Sequence, residues 1–166
     1  AILDHVLETQ PIDRNRIYAT GQSMGCMASC EMNIRWPDLF AASLLVAGQW
    51  SPERMAEKCP MNNFWILVSE GDRKACLGMT AVTDAMETAG ATVLRSYWDG
   101  TKTPEELTEL AREEMKKVGN VRFTIFEGSS VLRDFTDPNP GVHHMATWPV
   151  VYSIEGLKEW LFSHSK

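Results

Sequence analysis

Apolar residues recur along this chain at two spacings, one helical and one strand-like. Ile2, Leu3, Val6 and Leu7 share a helical face and Pro11 stops the segment, so residues 2–9 are predicted to form an amphipathic helix. Ile17, Tyr18 and Thr20 favour a strand over 16–20. A helix follows Ser23 and ends near Arg35, before Pro37. The runs "FAASLLVA" (40–47) and "FWILVS" (64–69) are almost unbroken apolar stretches, as expected of parallel strands covered on both faces. Between them, residues 53–63 read as irregular or weakly helical. A helix over 79–89 is stopped by Gly90, and a strand follows over 92–98. Thr103-Pro104-Glu105-Glu106 is a capping box with proline at the first helical position. It opens a helix to about Val118 that turns Leu107, Leu110 and Met115 inward. A strand over 121–127 leads into a Gly/Pro/Asp-rich loop over 128–142, closed by His143-His144. The last helix, 151–162, turns Ile154, Leu157 and Leu161 inward. Strands alternating with helices predict an α/β fold with a mainly parallel sheet, flanking helices and right-handed crossovers. There is no internal repeat and no sign of a second domain, so residues 1–166 read as one α/β domain.

The strand at 16–20 runs into Gly21-Gln22-Ser23-Met24-Gly25, which fits G-x-S-x-G. That spacing places a serine on a strained strand-to-helix turn, with its hydroxyl clear of the backbone. The flanking glycines leave room where a β-carbon would strike a neighbouring strand or helix. Met24 opens the helix, so its backbone N–H is a donor available to an oxyanion. The plainer alternative is an ordinary turn whose serine caps the helix. Carboxylates follow in Ser69-Glu70-Gly71-Asp72, at the end of a buried strand. Histidines follow in His143-His144. Serine, a carboxylate and histidine are the residue types of an acyl-transfer triad, in which the acid fixes the imidazole and the imidazole takes the serine proton. Loops after parallel strands gather at the carboxyl edge of the sheet, so Gln22, Trp50 and Trp148 are candidate substrate-binding residues, with ordinary packing the alternative for each tryptophan.

Composition narrows the classes. Hydrophobic residues make up 44% of the 166 and charged residues 23%, which suits a globular domain with a sizeable core. The net charge of −6, with no basic block, argues against nucleic acid as a partner. No apolar run approaches the roughly 18 residues of a membrane span. The four cysteines, Cys26, Cys30, Cys59 and Cys76, form no C-x-x-C pair, so neither a zinc site nor a dithiol redox motif is indicated. Cys26 and Cys30 share a helical face and read as small buried residues. No metal or cofactor is expected.

The segment beginning "DRNRIYATGQSMGC" at Asp13, followed by "RWPDLFA" from Arg35, resembles the α/β-hydrolase superfamily. Within it, the chain is most similar to the esterase branch that holds polyhydroxybutyrate depolymerases, feruloyl esterases and predicted secreted peptidases. Members typically carry D-x-x-R-[IV]-Y-x-x-G-x-S-M-G-G and then R-x-P-D-x-F-A; here Cys26 stands in place of the second glycine. The resemblance implies a serine esterase working through an acyl-serine, with Ser23 as nucleophile and the Met24 N–H in the oxyanion hole. Asp72 matches the family's acid position and is preferred to Glu70. Because an aromatic commonly follows the family's catalytic histidine, "HHMATW" favours His144 over His143. It implies a small-molecule or polymer-derived ester as substrate and leans towards a secreted protein. A serine peptidase with the same triad, or a non-catalytic hydrolase-like partner subunit, are the competing readings. In this superfamily several strands precede the elbow strand, and one supplies the second oxyanion N–H. The chain is therefore expected to be the C-terminal portion of a longer catalytic domain, without the N-terminal strands. An upstream segment, a second chain or self-association would cover the exposed sheet edge.

Overall fold

The computed structural model describes residues 2–133 and 139–166. Their elements in chain order are α1 (Ile2–Thr9), β1 (Tyr18–Gln22), α2 (Met24–Arg35), β2 (Ala42–Val46), α3 (Pro52–Lys58), β3 (Phe64–Ser69), α4 (Arg73–Thr88), β4 (Val93–Trp98), α5 (Pro104–Met115), β5 (Val121–Phe126), a 3-10 turn at Ser130–Leu132, α6 (Pro140–Tyr152) and α7 (Glu155–Ser163). The strands form one parallel sheet in the order β1-β2-β3-β5-β4. The α/β class and the parallel sheet are as the apolar runs imply. β2, β3 and β5 are buried along their whole length, whereas β1 and β4 form the two edges and are partly exposed.

Strand alternation divides the interior in two. Phe64, Ile66 and Val68 of β3 face α2, α3 and α4, together with Leu45, Val121 and Phe123. Trp65 and Leu67 face α5, α6 and α7, with Leu44, Val46 and Phe126. A period of two thus serves two cores at once, which is why these strands carry no polar stripe. Thr124 and Arg122 are the polar residues of β5 that turn to the second core. Trp65 Nε1–H donates to Thr124 Oγ1 at 2.9 Å, and the Arg122 guanidinium donates to the carbonyls of Glu114, Lys117 and Gly119. Burial pushes the Arg122 guanidinium below its ordinary pKa.

Several boundaries differ from the sequence reading, each for a physical reason. β1 lies two residues later than 16–20, because Gly21 and Gln22 pair with Leu45 and Val46 of β2. Of the stretch 53–63 read as irregular or weakly helical, residues up to 58 belong to a regular helix, with Pro52 at its start and Ser51 Oγ accepting from Arg54 N–H. α4 begins six residues before the expected 79, since Asp72 caps it by accepting from Ala75 N–H at 3.3 Å. His143 and His144 sit in a helix, not in a loop. The expected single C-terminal helix is two helices, α6 and α7, meeting at Ser153-Ile154. α1 forms as expected, but none of its residues is fully buried: Leu3 and Leu7 are half-buried, while Ile2 and Val6 are exposed.

Candidate active site

Ser23 lies between β1 and α2 with φ 53° and ψ −117°, a left-handed conformation that a residue bearing a β-carbon rarely adopts. Such a residue costs on the order of 1–3 kcal/mol and persists only where its surroundings enforce it. Here two features do so. Ser23 N–H donates to Val46 O of the neighbouring strand at 2.9 Å. Gly21 lets the start of α2 come close: a β-carbon there would fall 2.4 Å from the Gly25 carbonyl carbon. The second flanking glycine differs from expectation, because a β-carbon at Gly25 would meet nothing within 4 Å. The clearance is needed instead at Gly48, where a β-carbon would fall 2.4 Å from Cys26 Sγ. Cys26, the departure from the family pattern, is thus accommodated by a bare backbone at the end of β2.

The helix-cap alternative for Ser23 does not hold, because its side chain makes no cap hydrogen bond. Its Oγ lies 2.8 Å from His144 Nε2, and His144 Nδ1 lies 2.5 Å from Asp72 Oδ2. The three side chains come from α2's leading turn, from α6 and from the β3–α4 junction. With Nδ1–H donating to Asp72, Nε2 is left to accept from the Ser23 hydroxyl. The Asp72 side chain is 8% exposed and that of His144 29%. Asp72 Oδ1 is anchored to the α4 backbone, so the carboxylate is fixed at both oxygens. Trp148, one turn after His144 on α6, packs edge-on against its ring at 5.4 Å. Met24 is the first residue of α2, where an N–H has no intrahelical acceptor.

The two alternatives to this line are occupied elsewhere. Glu70 points away and accepts from Gly128 N–H through Oε2. His143 is 5% exposed and hydrogen-bonds Ser129 Oγ through Nε2 at 3.0 Å. Its ring packs against Gly71, where a β-carbon would fall 1.9 Å from it. His143 therefore ties the backbone beside Asp72 to the helix that carries His144.

A cavity of about 310 Å³ opens on Ser23 and His144, with Met27, Gly48, Gln49 and Lys74 among its walls. Gln22 is exposed and Trp50 packs against the α2–α4 core; neither lines this cavity, and Trp148 reaches it only through His144. Gln49 stands where the sequence reading looked to its neighbour Trp50. Lys74 was hidden because the helix was expected to start after it. His5 is exposed on α1, and His164 lies at the end of α7. Among the described residues no group of three His, Cys, Asp or Glu side chains is arranged to hold a metal, and no helix is long and apolar enough to cross a membrane.

No protein-family model matches the sequence, and no curated protein matches it at a significant level. Among solved structures, the chain is similar to the crystal structure of a thermostable esterase, with a TM-score of 0.72 and 23% sequence identity. The match covers 99% of this chain and 35% of the other, so this chain spans about a third of the length of the esterase chain. Over that span the two chains share a fold, a parallel sheet flanked by helices in this chain.

Proposed function

We propose that this chain carries the nucleophile, base and acid of a serine esterase that cleaves carboxylic esters through an acyl-serine. The observation that carries the reading is the single hydrogen-bonded line from Asp72 through His144 to a strained Ser23, facing a cavity. Ser23 Oγ attacks the ester carbonyl carbon as its proton passes to His144 Nε2. The carbonyl π pair moves to oxygen, and the oxyanion takes a hydrogen bond from the Met24 N–H. Collapse expels the alcohol, which receives the proton from His144 Nε2 and leaves an acyl-serine. Water then attacks the acyl carbon, again giving its proton to His144, and the second collapse returns that proton to Ser23 Oγ and releases the acid. Asp72 stays ionised throughout and stabilises the imidazolium. His143 is a positioning residue that holds the Asp72 loop against α6.

The test is hydrolysis of p-nitrophenyl butyrate by purified protein and by Ser23→Ala. Turnover lost in the variant, with its circular dichroism unchanged, supports the reading; turnover retained overturns it.

A further inference from the structure

The cavity beside Ser23 has two unequal sets of polar groups. Ser23, His144 and Asp72 are bonded to one another, and Asp72 also accepts from Ala75 N–H. Gln49 and Lys74 line the same cavity but have no hydrogen bond or ion pair among the described residues. Most other cations of this chain have a partner, although Arg73 and Lys102 share the isolation of Lys74 among the described residues. Arg54 pairs with Glu31, Arg112 with Glu159, Lys117 with Glu114 and Lys158 with Glu155. With 22 acidic against 16 basic residues, a cation has carboxylates in surplus to find.

Both residues stand in the cavity wall, Gln49 half-buried and Lys74 exposed. Lys74 is on the first turn of α4, two residues after the acid of the triad. Gln49 leaves the end of β2 and rests on α4 at Gly78, where a β-carbon would fall 2.7 Å from Gln49 Cβ. The remaining walls include Met27, Ala47 and Ala75, which offer nothing to a polar ligand. Among the described residues that line the cavity the one anion is Asp72, and each of its oxygens already accepts a hydrogen bond. A small cavity with apolar walls and a few convergent polar groups is the usual form of a specificity pocket. Here both unspent groups are N–H donors, and one carries a positive charge. Together they fit a carboxylate, which accepts charge-assisted hydrogen bonds from both.

We propose, building on the acyl-transfer reading above, that this pocket selects esters that carry a carboxylate a few atoms from the reacting carbonyl, held by Lys74 and Gln49. The carboxylate belongs either to the acyl part, as in the half-ester of a short dicarboxylic acid, or to the alcohol part. The cavity volume, near the low end for ligand pockets, restricts the link to a short one.

The experiment compares kcat/KM for a charged and a neutral ester in two arms. Mono-p-nitrophenyl glutarate against p-nitrophenyl butyrate reads the acyl side. 4-Butyryloxybenzoate against phenyl butyrate reads the alcohol side. In the arm that matches the natural substrate, the charged-to-neutral ratio should fall about tenfold in Lys74→Met and further in Lys74→Glu. Added salt should lower the wild-type ratio too. A ratio unchanged by both variants in both arms overturns the proposal. Glutarate binding, followed by chemical-shift titration, separates it from the esterase reading. If no ester is turned over yet glutarate binds in a Lys74-dependent way, acyl transfer is wrong and the anion pocket stands. If glutarate does not bind the wild-type protein, the pocket proposal is wrong whatever the ester rates.

Discussion

The two faces of the sheet are built from different materials. The core under α2, α3 and α4 is rich in sulfur: Cys26, Cys30, Cys59, Met55, Met79 and Met86 are all buried there. The core under α5, α6 and α7 is rich in tryptophan, with Trp65 edge-on to both Trp98 and Trp160 at 6.0 and 5.3 Å. Thioethers and small thiols fill irregular gaps, whereas indoles packed edge to face fix one geometry. The candidate site is divided along the same line. Ser23 and Asp72 start helices of the sulfur-rich face, while His144 rides on a helix of the tryptophan-rich face, braced by Trp148. The hydrogen-bonded line therefore spans the carboxyl edge of the sheet and depends on the register of both layers. His143, seated on Gly71, is where the two layers lock.

Breaking that line should have the largest effect. His144→Ala is expected to lower ester kcat by about 10⁴-fold or more, and Asp72→Asn by about 10⁴-fold. His143→Ala should cost far less kcat and should loosen the Asp72 loop instead. Steady-state kinetics on the three purified variants reads this directly; equal losses at His143 and His144 would contradict the assignment.

The faces themselves come next. Trp160→Ala removes a ring that is 1% exposed and touches Trp65, and should cost about 3–5 kcal/mol of unfolding free energy. Met86→Ala, on the other face, should cost about 2–5 kcal/mol, at the low end if the sulfur-rich core collapses around the gap. Urea unfolding of both variants measures the difference. A larger loss at Met86 than at Trp160 would reverse the comparison.

How much of this was readable beforehand depends on the element. The strands 64–69 and 121–126 were legible because their apolar runs are unbroken, and the capping box at Thr103–Glu106 forms as its residues dictate. Ser23, Asp72 and His144 were legible as residue types in a known order, and the elbow as a spacing. The family resemblance favoured His144 over His143, but residue type and spacing alone did not show which residue of an adjacent pair faces the cavity. His143 and His144 differ only by about 100° of helical rotation, and the structure assigns one to Asp72 and the other to Ser129. Gln49 and Trp50 lie in the loop after β2, where Gln49 lines the cavity and Trp50 packs on the core. The helix carrying the histidines was hidden by Pro140, Gly141 and Pro149. Proline at the start of a helix is compatible with it, and Pro149 lies in its last turn.

A smaller and more local effect is expected at the elbow. Gly48→Ala drives a methyl against Cys26 Sγ and should cost about 1–3 kcal/mol. In a Cys26→Gly background most of that penalty should vanish, so the double-mutant cycle should show a coupling of about 0.5–3 kcal/mol. Additive losses would mean that Cys26 does not set the room at Gly48.

The sulfur-rich face also sets a dependence on alkali. Burial pushes the Cys59 thiol up to about 12 from its usual 9.0, and Cys30, beside Cys26, is raised as well. Between those values the unfolded chain has lost protons that the folded chain still holds, so stability falls as pH rises from about 9 towards 12. The Cys59→Ala variant, although less stable at neutral pH, should lose stability less steeply over that window. Parallel slopes for the variant and the wild type in alkaline urea titrations would contradict this.

The central claim is that Ser23 is an activated nucleophile in line with His144 and Asp72. Labelling with a fluorophosphonate probe, read by intact mass and peptide sequencing, tests it most directly because it needs no knowledge of the substrate. The account predicts a single adduct on Ser23 that is lost in Ser23→Ala and strongly slowed in His144→Ala. No adduct on the folded protein, or an adduct on another residue that persists in Ser23→Ala, would contradict it.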